Sequence, residues 1–189
     1  MAGILLLVKN LDMQSRKIQI GVMGSASDLG YDSKLEKLAE GVGFYIAKNN
    51  CVLIFGAEKD GDSLSTVASR AAKKEGGITI GITYGKGLNT FEQGSDAIIA
   101  TGLERGGGRE LPLVLSCDAI ICLSGGSGTL TEMAIAYQAG IPVVVIEGTG
   151  GWSDKLANQF IDARNRIKVY SARTPEDAVV QSLKLIKKS

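Results

Sequence analysis

Asp118-Ala119-Ile120-Ile121-Cys122-Leu123-Ser124-Gly125-Gly126-Ser127-Gly128-Thr129-Leu130-Thr131-Glu132 is the stretch that decides the fold. Five apolar residues follow an aspartate, stop at a glycine-rich turn, and give way to a segment of helical composition that runs to Gln138, with Gly140 as its C-cap. That is a buried strand, a tight turn and a helix in direct succession. The same unit recurs along the chain. Strands are expected at 18–23, 52–55, 78–83, 96–100, 118–123, 142–146 and 168–171. Helices are expected at about 33–49, 62–74, 109–116, 129–138 and 154–162, with a last one opening at Thr174-Pro175. Ser33-Lys34-Leu35-Glu36 has the pattern of a capping box for the first of them, and Pro112 fits the first turn of the fourth. Strands that are apolar throughout and alternate with helices build a parallel sheet covered on both faces. The predicted architecture is α/β, an open doubly wound parallel sheet of about seven strands. Residues 17–189 are read as one Rossmann-like nucleotide-binding domain, and residues 1–16 as an extra strand or a tail that docks elsewhere, for example on a partner subunit.

Composition narrows the chemistry. The chain has 189 residues, 21 Lys plus Arg against 20 Asp plus Glu, and a net charge of +1, so nothing marks a surface for a nucleic-acid backbone. Histidine is absent, which excludes histidine-based triads and histidine-ligated metals. Cys51, Cys117 and Cys122 lack metal-ligand spacing and read as buried reduced thiols of a cytoplasmic protein. No apolar run reaches the ~18–20 residues of a membrane span, and no secretory leader is expected. No metal and no resident cofactor are expected.

Glycine, at 25 residues, is abundant, and its placement is informative. In a doubly wound sheet, ligands bind beyond the carboxyl ends of the strands where strand order reverses. Three glycine-bearing turns lie at such ends: Gly24-Ser25, Gly56-Ala57-Glu58 and Gly125-Gly126-Ser127-Gly128-Thr129. In the last, adjacent glycines let a ligand approach the backbone, and the following helix offers free N–H groups to a phosphate. The turn lacks the Gly-Lys-Ser/Thr of a Walker loop, and the first turn lacks the dinucleotide fingerprint. Glu132 reads either as the far member of a capping box with Thr129 or as a carboxylate serving the ligand. Arg109 follows three glycines at a helix start, where a cation opposes the helix dipole. It is a solvated arginine or one that awaits an anion, and Arg105 is a weaker candidate for the same task.

Arg109 followed by the Gly125-Gly126-Ser127-Gly128-Thr129-Leu130-Thr131-Glu132 run resembles the Lonely Guy (LOG) family and the related molybdenum cofactor carrier and DprA-like proteins. The resemblance covers roughly residues 17–188. It implies phosphate binding by Gly24, Ser25, Gly125, Gly126, Ser127, Gly128 and Thr129, with Arg109 and Glu132 as the catalytic pair. The implied activity is a nucleoside 5′-monophosphate phosphoribohydrolase, which cleaves the N-glycosidic bond to free base and ribose 5-phosphate. The alternative is a non-catalytic carrier or sensor of molybdenum cofactor or another phosphorylated ligand. The expected partners are a small phosphorylated ligand and further copies of the chain, in a homodimer or larger homo-oligomer, with no nucleic acid and no membrane. Three departures stand out: Ser124 replaces the motif proline, Gly56-Ala57-Glu58-Lys59-Asp60 stands where LOG enzymes have a glycine-only run and its acidic groups would repel a phosphate, and Pro112 with the glycine triplet differs from the usual LOG helix.

Overall fold

The computed structural model describes residues 16–187, so the reading of residues 1–16 falls outside the described residues except for Arg16. Seven parallel strands form one sheet: β1 Gln19–Gly24, β2 Val52–Gly56, β3 Ile78–Thr83, β4 Ala97–Ala100, β5 Ala119–Leu123, β6 Val143–Ile146 and β7 Val169–Ala172. Their spatial order is β4-β3-β2-β1-β5-β6-β7. The chain lays strands outward from β1 in one direction, then returns to β1's other side with β5, so strand order reverses between β1 and β5.

Alternation along each strand feeds two cores. Ile20, Val22, Leu53, Phe55, Ile121 and Leu123 face one side of the sheet. Met23, Ile54, Ile120, Cys122, Val143 and Val145 face the other. Both faces are dry, which is why the strands carry no polar alternation. The first face is covered by α1 Ser33–Lys48, α2 Leu64–Lys74 and α6 Pro175–Ile186, the second by α3 Glu110–Leu115, α4 Ser127–Ala139 and α5 Gly151–Leu156. All three cysteines are free and buried, and burial pushes each thiol up from its ordinary value, away from the reactive thiolate.

Two local expectations are corrected. The cap of α1 is Asp32, whose carboxylate accepts from the N–H groups of Lys34 (3.0 Å) and Leu35 (2.9 Å), so no Ser33–Glu36 capping box is needed. The helix expected at 154–162 is instead α5, Gly151–Leu156. Its start is set by tertiary bonds: Trp152 N–H donates to Gly125 O (3.0 Å) and Ser153 N–H to Ser124 O (3.0 Å). The Asp154 carboxylate accepts from the N–H groups of Gly148 and Gly150, and Asn158, at φ +60°, turns the chain out of the helix. Asp162 serves Tyr137 and Arg164 instead.

Candidate functional site

The carboxyl ends of β1 and β5 meet at the reversal point, and a cleft of about 470 Å³ opens there. Its floor is Gly126 and the start of α4, to which the turn at Ser124 and Gly125 leads. Ser124 sits at φ +54°, a conformation proline cannot adopt, and its N–H donates to Thr149 Oγ1 (2.8 Å). The loss of the motif proline thus goes with a different backbone path. Gly125 is at φ +96°, and a Cβ there would collide with the Thr129 side chain. The turn is braced from below. Ser25 Oγ accepts from Gly125 N–H (3.0 Å) and donates to Ser124 Oγ (3.1 Å), and the start of α5 takes the carbonyls of Ser124 and Gly125.

The expected ligand-binding residues therefore divide. Gly24, Gly126, Ser127, Gly128 and Thr129 line the cleft. Ser25 and Gly125 support the turn beneath it, and the Ser25 hydroxyl is spent on that task. The N–H groups of Ser127, Gly128 and Thr129 form the first turn of α4, where no preceding carbonyl is available to them. With the helix dipole, such N–H groups suit an anion.

Arg109 is neither a solvated arginine nor a free one. It is 4% exposed. Nη2 donates to Glu58 Oε1 (2.8 Å), Nη1 to Ile82 O (3.3 Å), and Nε lies 3.5 Å from Glu110 Oε1 without a hydrogen bond. The guanidinium lies against Gly56, where any Cβ would strike it, so the glycine ending β2 makes room for a cation from α3. Glu110 accepts from the N–H groups of Gly107 (2.7 Å) and Gly106 (3.2 Å). Burial opposes its charge, but backbone N–H groups and Arg109 outweigh burial and hold the carboxyl below its ordinary value.

Glu132 is not a cap. Helix α4 begins at Ser127 with Gly126 as its N-cap, which puts Glu132 in the second turn. It lines the cleft at 8% exposure, and no hydrogen bond to its carboxyl is seen among the described residues. Burial pushes the carboxyl up to about 8. Arg109 counters this, while Glu110 and Glu58 reinforce it. At neutral pH it is a protonated acid facing the cleft.

Sequence reasoning missed the roles of Glu58 and Glu110. Glu58 reads along the chain as a hazard to a phosphate, whereas in the fold it neutralises Arg109. Its position after the glycine that ends β2 was the one available signal. Arg105 and Asp28 also line the cleft, and Arg105 Nε approaches Glu58 Oε2 at 3.6 Å.

Comparison with known proteins agrees with this fold. A family model described as the SLOG cluster4 family matches residues 17–179. An uncharacterized protein of Archaeoglobus fulgidus is 35% identical over 139 residues, 69% of this chain and 85% of that protein. The molybdenum cofactor binding protein of Rippkaea orientalis superposes with a TM-score of 0.76 at 32% identity, over 90% of this chain and 98% of that one. The Moco carrier protein of Chlamydomonas reinhardtii gives a TM-score of 0.75 at 29% identity, over 92% of this chain and 100% of that one.

Proposed function

The chain belongs to the SLOG cluster4 family, and from that premise we propose that it binds a small phosphorylated ligand and holds it without turnover, as a carrier. The phosphate sits on the first turn of α4, and the rest of the ligand extends along the cleft toward Asp28 and Glu58. The observation that carries this reading is the state of Arg109. The cation that the resemblance assigns to catalysis is already neutralised by Glu58 and Glu110, while the N–H groups of α4 remain open to an anion. The similarity to proteins named for molybdenum cofactor binding favours a phosphorylated pterin as the cargo.

A second reading rests on Glu132. A phosphoribohydrolase passes through an oxocarbenium-like state that an ionised carboxylate stabilises. A carboxyl held neutral does this poorly at pH 7, but it suits proton donation to the departing base. Water then adds to the sugar carbon, and its proton restores Glu132.

The experiment is a calorimetric titration with ribose 5-phosphate, nucleoside 5′-monophosphates and pterin phosphates, beside an assay for released ribose 5-phosphate. Binding without release is the expected result. Release that disappears in Glu132→Gln establishes the hydrolase instead. No affinity for any phosphomonoester refutes both.

A further inference from the structure

Two arginines face the cleft, and their surroundings differ sharply. Arg109 is enclosed: Glu58, Glu110, the carbonyl of Ile82 and the glycine backbone at 56 surround its guanidinium. Its guanidinium is held by these partners at the cleft wall. Arg105 is half exposed, with a side-chain exposure of 49%, and its one ion-pair contact among the described residues is at 3.6 Å to Glu58 Oε2. That distance exceeds a hydrogen bond, and Oε2 is buried without a hydrogen-bond donor. A loose, half-exposed pair of this kind stabilises little.

Arg105 lines both the main cleft and an adjoining recess of about 160 Å³ bounded by Ser27 and Asp60. It therefore stands where the two spaces join, within the same cleft as the open N–H groups of α4. The next two residues, Gly106 and Gly107, have φ of +90° and +151° with open space about them, and their N–H groups are held by Glu110. The backbone is anchored immediately after Arg105, so a change of side-chain rotamer, without loop closure, is enough to redirect the guanidinium.

Electrostatics gives that movement a purpose. Asp28 and Asp60 line this end of the cleft and repel a phosphate, while Glu58 is shared between Arg109 and Arg105. A phosphomonoester dianion competes with Glu58 for Arg105, and it offers the bidentate oxygen pair that a guanidinium fits. We infer that Arg105, rather than Arg109, is the cation that grips the ligand's phosphate, with Glu58 as its resting partner. The inference rests on the phosphate-binding reading given above. The neutralised Arg109 then acts as a fixed strut that positions Glu58.

The test is titration of the native chain, Arg105→Ala, Arg105→Lys and Glu58→Gln with ribose 5-phosphate, with a thermal melt of each variant. Arg105→Ala is expected to weaken binding by about tenfold to about a hundredfold, the range of a charged hydrogen bond, without lowering the melting temperature. Arg105→Lys should recover part of the loss, as a single point charge replaces the planar fork. Glu58→Gln should tighten binding, because the amide oxygen still accepts from Arg109 while the competing charge is gone. Arg105→Ala binding within twofold of the native chain overturns the inference, as does weaker binding by Glu58→Gln. A native chain with no affinity for ribose 5-phosphate overturns, by itself, the inference that Arg105 grips the phosphate, and one with no affinity for any phosphomonoester overturns the underlying reading as well, so the two failures are distinct.

Discussion

Replacing Glu132 by Gln should stabilise the protein at neutral pH, by an amount that depends on pH. The unfolded chain ionises this carboxyl near its ordinary value of 4.5, and the folded chain near about 8. Below 4.5 the group is protonated in both states and contributes no pH dependence. Above 4.5 the unfolded state releases the proton and the folded state keeps it, so each pH unit removes about 1.4 kcal/mol of stability. At pH 7 the loss is about 3 kcal/mol, and it levels off near about 5 kcal/mol once pH passes 8 and both states are ionised. Glutamine has the same shape and no proton to lose. Any fixed cost of its amide shifts both ends of the comparison equally, so the informative quantity is how the stability gap changes with pH. Denaturant unfolding of both proteins at pH 4.5, 6, 7 and 8 should show the gap widening in favour of Glu132→Gln by about 3 kcal/mol between pH 4.5 and 7. In melting temperature that is about 6–12 °C for a chain of this size. A gap that changes by less than about 1 kcal/mol over that range refutes the reasoning and returns Glu132 to the ordinary ionised carboxylates. A carboxyl kept neutral at this cost, at the edge of a cleft, is the kind of group retained for function rather than stability.

Three further outcomes are expected. Ser124→Pro restores the motif residue but demands φ near −65° where the chain has +54°, and it removes the N–H bound to Thr149. Urea unfolding should show a loss of about 3 kcal/mol or more, and native-like stability would show that the turn can take another path. Arg109→Met leaves Glu58 and Glu110 without their buried cation and should cost about 3–5 kcal/mol, whereas a loss under about 1 kcal/mol would mean that the cluster is effectively solvated. Self-association, which the family resemblance implies, is expected to use the apolar groove between α3 and α4, where Leu111 and Leu115 are 45% and 58% exposed. Leu115→Glu should sediment at monomer mass where the native chain sediments at a larger one, and a native chain that is itself monomeric ends that expectation.

The order of elements was legible because its signals are local. A buried parallel strand is a short apolar run, and its turn is marked by glycine. Both can be read within ten residues, as at Ile120–Gly126. The candidate turn was legible for the same reason, since strand, glycine turn and helix are contiguous. The start of α5 was not legible, because its first N–H groups bond to carbonyls at Ser124 and Gly125 from a different turn. The role of Glu132 was ambiguous because Thr129 and Glu132 have capping-box spacing, and only the helix beginning at Ser127 excludes it.

By itself the sequence determined the alternating α/β pattern and the glycine turn after β5. Each depends on neighbours along the chain. The tertiary structure alone decided which charges are free. Arg109 and Glu58 lie 51 residues apart and meet because the sheet brings the end of β2 within reach of the start of α3. Charge pairing falls steeply with distance and rises with burial, and neither quantity exists until the strand order is set. The fold therefore ties up the motif arginine, leaves Arg105 loosely held, and buries most of Glu132 at the cleft wall.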